Sequence, residues 1–431
     1  MANEILSGKD LGIPFSLDEY EDRLVPEFRM KDRLAFWDGP IRAFLREHGY
    51  VLYNMCAFPE YDVDSLMYPA LETPDQAPDD DRYAFMDADY PERAISEHGG
   101  DELMSDAKCQ GRAAFAQDAA RPGRHVAIKL VRAGSVEIHT LKLIYEASKE
   151  KPVRGLIPVL EIIPFRGHWL VVMPRWGEDI MLPFPTVAGP VYDLIEDLLE
   201  GLAFLHSHNI VHRDHSSKNL VVNHVPILTY DDIRNVPPTR HALGHAGALR
   251  HAIFDFDVAL VFPDRASARL PWMEFWRGAA KGTHDVRQGE YDFDPFAADM
   301  CILGLYLDDS LRSHIPYMPI LAPLIDGLLH WHVPSRLTAA QALALLRSLR
   351  AENSSLERQR LPAERSVPDP TNDLWRGLSS DFLTKWGHLR TPPEPRTRRI
   401  FRRLCHNRFM AWSVRSMRRV ASFKSLGSGS G

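Results

Sequence analysis

An amphipathic helix that runs into a polar loop and out into an apolar strand constrains this chain more than any other feature. Over residues 191–206, Ile195, Leu198, Leu202 and Leu205 recur at helical spacing and form one apolar face, while Asp193, Glu196, Asp197 and Glu200 are expected to face water. The stretch that follows is Ile210-Val211-His212-Arg213-Asp214-His215-Ser216-Ser217-Lys218-Asn219-Leu220-Val221-Val222. It sets an acid and an amide in a loop bracketed by β-branched residues. Upstream, residues 125–131 and 170–173 read as short buried strands and 135–147 as a helix. Downstream, a strand is expected at 252–254 and helices near 296–307, 321–330 and 338–349. Strands first and helices later predict an α+β fold with a small β-rich lobe and a larger helical lobe.

Phosphoryl transfer asks little covalent chemistry of a protein. It needs a carboxylate to orient the attacking hydroxyl and accept its proton, oxygen ligands for magnesium, and cations on the phosphates. His212-Arg213-Asp214 with Asn219 resembles the catalytic loop of protein kinases in spacing and in its flanks. Val126-Ala127-Ile128-Lys129 resembles the strand whose lysine meets the nucleotide phosphates, and Glu137 stands on the next helix, where that lysine's ion-pair partner is implied. Phe254-Asp255-Phe256-Asp257 resembles the segment that brings the second metal-binding carboxylate. Asp257 stands where glycine is expected, and glycine is favoured where the backbone must visit positive φ.

The resemblance implies a two-lobed protein kinase-like fold over residues 105–350, with ATP and Mg2+ as cofactors. Asp214 would be the base, Lys129 and Glu137 the phosphate-holding pair, Asn219 and Asp255 the metal ligands, and Met173 a nucleotide contact. Arg213 would read phosphorylation of the activation segment, with Ser267 and Thr283 as acceptors, and this favours a protein substrate over a small molecule. Asp299 would hold the backbone of the catalytic loop. Arg336 would pair with an acid closing the activation segment, and Glu290 is the nearest candidate after Gly282-Thr283. Phe36-Trp37, Gly49-Tyr50, Met173-Pro174 and Asp294-Pro295-Phe296 further resemble a divergent kinase-like group of basidiomycete fungi. The glycine-rich phosphate cradle is missing: only Gly111 and Gly123 occur between Cys109 and Lys129. A pseudokinase that binds nucleotide or acts as a scaffold is therefore the alternative to a serine/threonine kinase.

The remainder is read from composition. Residues 1–104 form an extension with an acidic, proline-bearing linker at 75–93. The His- and Pro-rich stretch 224–250 reads as a solvated insertion, with His224, His241, His245 and His251 too loosely set to suggest zinc. Residues 351–431 turn polar and then basic. From 390 to 424 there are eleven basic residues and one acid, a net of +10, so the rest of a chain of overall charge −7 carries −17. In that tail Phe401, Cys405, Phe409 and Trp412 could line one helix able to meet an anionic membrane surface, an acidic partner or the acidic remainder of the same chain, the alternative being a solvated disordered tail. No specific nucleic-acid partner is predicted. Four scattered cysteines and the lack of an apolar leader point to the cytoplasm or nucleus.

Overall fold

The computed structural model describes residues 36–427 apart from 38, 40, 58–64, 73–77, 87–112, 179, 182–183, 226–237, 278–284 and 363–372. The chain is mixed α+β and divides into two compact units. Of the described residues, the first unit takes those up to Phe184 together with Leu220–Asp257; the second takes Pro185–Asn219 and those from Val258 onward.

The first unit opens with α1 (Ile41–Glu47), β1 (Tyr50–Leu52), β2 (Asn54–Ala57), β3 (Ser65–Tyr68), β4 (Phe85–Met86), β5 (Ala113–Asp118) and β6 (His125–Arg132). It continues through α2 (Val136–Ser148), β7 (Gly155–Leu156), β8 (Glu161–Phe165) and β9 (His168–Pro174). The chain then builds α3 (Ala188–Ser207) and β10 (Ile210–Val211) in the second unit. It returns for β11 (Leu220–Val222), β12 (His224–Val225), α4 (Pro238–His245) and β13 (His251–Ile253). The rest of the second unit is β14 (Leu260–Val261), β15 (Leu270–Pro271), β16 (Asp292–Phe293), α5 (Pro295–Leu311), α6 (Leu321–Leu328), α7 (Ala339–Glu352), α8 (Ser380–Trp386), α9 (Arg396–Leu404) and α10 (Arg408–Gly427).

The first unit is organised around an antiparallel sheet in the order β1-β5-β6-β9-β8. Alternation along β6 sends Val126, Ile128 and Leu130 into a core shared with Trp37, Ile41 and Leu45, and leaves Lys129 on the opposite face. Residues expected to form a separate extension thus supply an edge strand and a core helix. Within the acidic stretch expected to be a linker, Tyr83 and Ala84 are buried and β4 pairs in parallel with β12. A second small sheet runs β11-β13-β7, with β13 antiparallel to β11 and parallel to β7.

In the second unit α3 buries Val191, Ile195, Leu198, Leu202 and Leu205. Its polar face differs from the expectation of simple solvation. Asp197 is fully buried, and Arg347 and Arg350 of α7 reach back to Asp193, Glu196 and Glu200. Caps fix the helix starts. The Asp294 carboxylate accepts from the Phe296 and Ala297 amides ahead of α5, with Pro295 at its first position, and Thr338 and Gln341 close a capping box on α7.

The stretch read as a solvated insertion instead contains α4. His224 and His251 are buried in paired strands, and Arg240 Nε donates to His224 Nδ1 at 3.1 Å. Among the described residues after 351 are the three α-helices α8, α9 and α10, and Trp375, Phe382 and Trp386 are buried. No helix among the described residues is long and apolar enough to cross a membrane.

Candidate functional site

Each unit carries one constellation. In the first, β6 presents Lys129 and the first turn of α2 presents Glu137, with Ser135 capping the helix by accepting from the Ile138 amide. Lys129 Nζ lies 2.5 Å from Glu137 Oε1 and 2.6 Å from Asp255 Oδ1. Asp255 follows β13 in a left-handed conformation at φ 64°, a strained backbone for a non-glycine residue. Phe256, fully buried, anchors the segment. Burial opposes the Lys129 ammonium, but Asp255 and Glu137, with Asp257 behind them, outweigh it and hold its pKa above the ordinary lysine range. Burial raises the Glu137 carboxyl, and Asp255 beside it adds to this against the pull of Lys129. Met173 lies on β9 opposite Ala127 of β6 and is buried.

One expectation about this unit changes, and the missing phosphate cradle gains a physical reason. The positive φ falls on Asp255, while Asp257 has none, so aspartate in place of glycine there carries no backbone strain. The turn between β5 and β6 cannot cradle phosphate as it stands, because the Asp118 carboxylate accepts from the Ala120 and Arg121 amides. Those are the N–H groups an anion would use.

In the second unit the loop after β10 hangs on Asp299 of α5. Its carboxylate is fully buried and accepts from the His212 and Arg213 amides, both at 2.7 Å, and His206 Nε2 lies 3.2 Å away. The backbone hold that the resemblance implied for Asp299 is present. Burial works against the Asp299 charge, yet His215 and His206 outweigh it and hold its pKa far below the usual carboxylate range. His206 is pushed down chiefly by burial. Arg213, at φ 73°, sends its guanidinium to the Val258 carbonyl and to Glu274, whose carbonyl accepts at 2.8 Å. The Glu274 carboxylate stands 3.7 Å away. Arg213 thus already meets an acid; of the acceptors suggested for it, Ser267 donates to Asp264 and Thr283 lies outside the described residues.

Half-exposed Asp214 is tied to Asn219, whose Nδ2 donates to the Asp214 carbonyl and to its Oδ2, each at 3.0 Å. That geometry orients the carboxylate. It also leaves the Asn219 side-chain carbonyl as a hard oxygen able to meet a divalent cation, a role the Asp255 carboxylate fits equally well.

The buried partner of Arg336 is Asp285, not Glu290. Asp285 accepts in a bidentate pair at 2.7 and 2.8 Å, and the Ala297 carbonyl takes a third bond. Glu290 instead accepts from the Gln288 amide, and its pKa is raised by burial. Asp285 was reachable from the sequence, being the acid two residues after Gly282-Thr283. Glu274 offered no such signal.

No protein-family model matches the chain, and no curated protein matches it.

Proposed function

We propose that the chain is a protein kinase that uses ATP and magnesium to phosphorylate a serine or threonine hydroxyl of a protein substrate, in the cytoplasm or nucleus. The sheet-bearing unit would be the small lobe and the helix-rich unit the large lobe of a kinase-like fold. The observation that carries the reading is Lys129 held between Glu137 and Asp255. A cation kept protonated by two carboxylates and fixed on a strand is suited to phosphate oxygens. On this reading Asp214, oriented by Asn219, accepts the proton of the substrate hydroxyl. Asn219 and Asp255 would each offer an oxygen ligand for magnesium, which would neutralise phosphate charge when bound. Asp299 fixes the loop backbone so that the base needs little rearrangement.

A second reading, a nucleotide-binding pseudokinase, is favoured by the β5–β6 turn, whose amides are taken up by Asp118. The deciding experiment measures magnesium-dependent ATP binding and γ-phosphate transfer to generic protein substrates. Asp214→Asn should abolish transfer and leave ATP binding nearly intact, and Lys129→Met should weaken both. Binding without transfer in the unaltered protein selects the pseudokinase, and transfer at an unchanged rate in Asp214→Asn removes that residue from the mechanism.

A further inference from the structure

Helices α9 and α10 each divide into two unlike sides. The stripe expected to run through one helix is broken at Cys405–Asn407, where the Asn407 side chain accepts from the Phe409 and Met410 amides and starts α10 afresh. One side of α10 is seated on the second unit. Ala411 and Val414 are buried, Val414 packs directly on Gly289, Arg415 stacks 3.8 Å over Trp272 and donates to the Glu290 carbonyl, and Arg418 lies 3.8 Å from Glu290. On α9, Arg398 lies over Trp331, and both Arg398 and Arg402 pair with Glu394.

The other side is different. Ile400, Phe401 and Leu404 of α9 are 43–55% exposed, Phe409 and Trp412 of α10 are 69% and 63% exposed with their rings 6.0 Å apart, and Met417 is 64% exposed. At 3.6 residues per turn, Arg396, Arg399 and Arg403 fall along one edge of the apolar arc of α9. All three are exposed and form no ion pair among the described residues. The arginines of α9 are thereby sorted: those toward the body are neutralised by Glu394, and those beside the apolar arc keep their charge.

We propose that this outward side of α9 and α10 docks on an anionic lipid surface. A soluble acidic peptide would satisfy the arginines but give the aromatic and methionine side chains nothing to enter. A bilayer boundary offers anionic headgroups and acyl chains at one depth, which matches apolar side chains edged by arginine. Because the inner side is already seated, the helices need not fold on the membrane, so the cost of ordering them at docking is small.

The test is flotation of the full chain with vesicles of phosphatidylcholine alone or with added phosphatidylserine. Binding should require phosphatidylserine and weaken as salt is raised above about 0.1 M. The double variant Phe409→Ser/Trp412→Ser should weaken it about tenfold or more, and Arg399→Glu/Arg403→Glu similarly, with the melting temperature of each unchanged because these side chains are exposed. Failure to float with phosphatidylserine vesicles overturns the proposal. So does binding untouched by the aromatic variant and competed away by soluble polyglutamate, which would assign the arginines to an acidic protein. Neither readout uses phosphoryl transfer, so the inference stands or falls apart from the kinase reading.

Discussion

Tyr53, His125 and Arg175 form a buried hydrogen-bonded relay. Arg175 Nη1 donates to the Tyr53 hydroxyl at 2.9 Å, and that hydroxyl is hydrogen-bonded to His125 Nδ1. With the arginine donating to it, the hydroxyl hydrogen is directed to His125, which must accept and therefore stay neutral. Burial, reinforced by the Arg175 charge, depresses the His125 pKa from 6.5 to about 3. Between those values the unfolded chain binds a proton that the folded chain refuses. His125 is thus without pH effect above 6.5 and costs stability as pH falls below it, by up to about 1.4 kcal/mol per pH unit down to the folded pKa. Thermal melts from pH 7 to 4 should show this slope flattened in His125→Gln; an identical slope in the variant would take the effect away from this residue. Asp257 makes a second prediction. Its charge bears on Lys129 and Glu137 without any backbone strain of its own. If the proposed kinase reading holds, Asp257→Gly should reduce the magnesium needed for ATP binding while costing about 1 kcal/mol in backbone entropy. Calorimetry giving the same magnesium dependence in both proteins would exclude the carboxylate from phosphate handling.

Among the elements, α5 and α6 meet at Gly304, where a methyl group would come within 2.9 Å of Leu328 Cβ and Leu329 Cδ2. Leu328 is fully buried. Alanine is the better helix former, but overpacking this contact outweighs that gain, and Gly304→Ala should lose about 1–2 kcal/mol. A lower urea midpoint at unchanged slope is the expected signature. Elements of this kind were legible in the sequence because they announce themselves locally. Thr338 with Gln341 opens α7, Asp294-Pro295 opens α5, and the apolar repeat of α3 leaves little else for it to be. The lysine, the two acids beside it and the Asp214–Asn219 pair were legible for the same reason: fixed spacing on well-marked elements. What escaped was set by distant partners. Tyr50–Leu52 is too short to declare itself a strand until Ala116–Asp118 pairs with it, and α4 has no apolar stripe to reveal it. The ion-pair partner of Arg336 depends on the path of a loop. The break before α10 was readable, since asparagine is a favoured cap, but an apolar repeat drawn across it hid the signal.

At the scale of the whole chain, the Arg336–Asp285 pair ties the segment leading to Gly289 into the second unit. Asp285→Leu would strand a buried guanidinium and should cost about 3–5 kcal/mol, whereas Arg336→Met/Asp285→Leu should cost less than the sum of the single changes. A denaturation cycle over the four proteins measures the coupling, and additive losses would show that the pair is not a unit. The interleaving of the two units reaches further. Strand β7 is paired in parallel with β13, yet α3 and β10, which belong to the other unit, come between them in the sequence. On the ribosome, then, the first unit waits: β7 emerges without its neighbour, and the small sheet cannot close until the chain has been made as far as Ile253. A nascent chain halted at Phe184 holds the large sheet without its companion, so a truncation there removes part of a unit it was meant to isolate, and α3 and β10 of the second unit leave the ribosome before the first unit is whole.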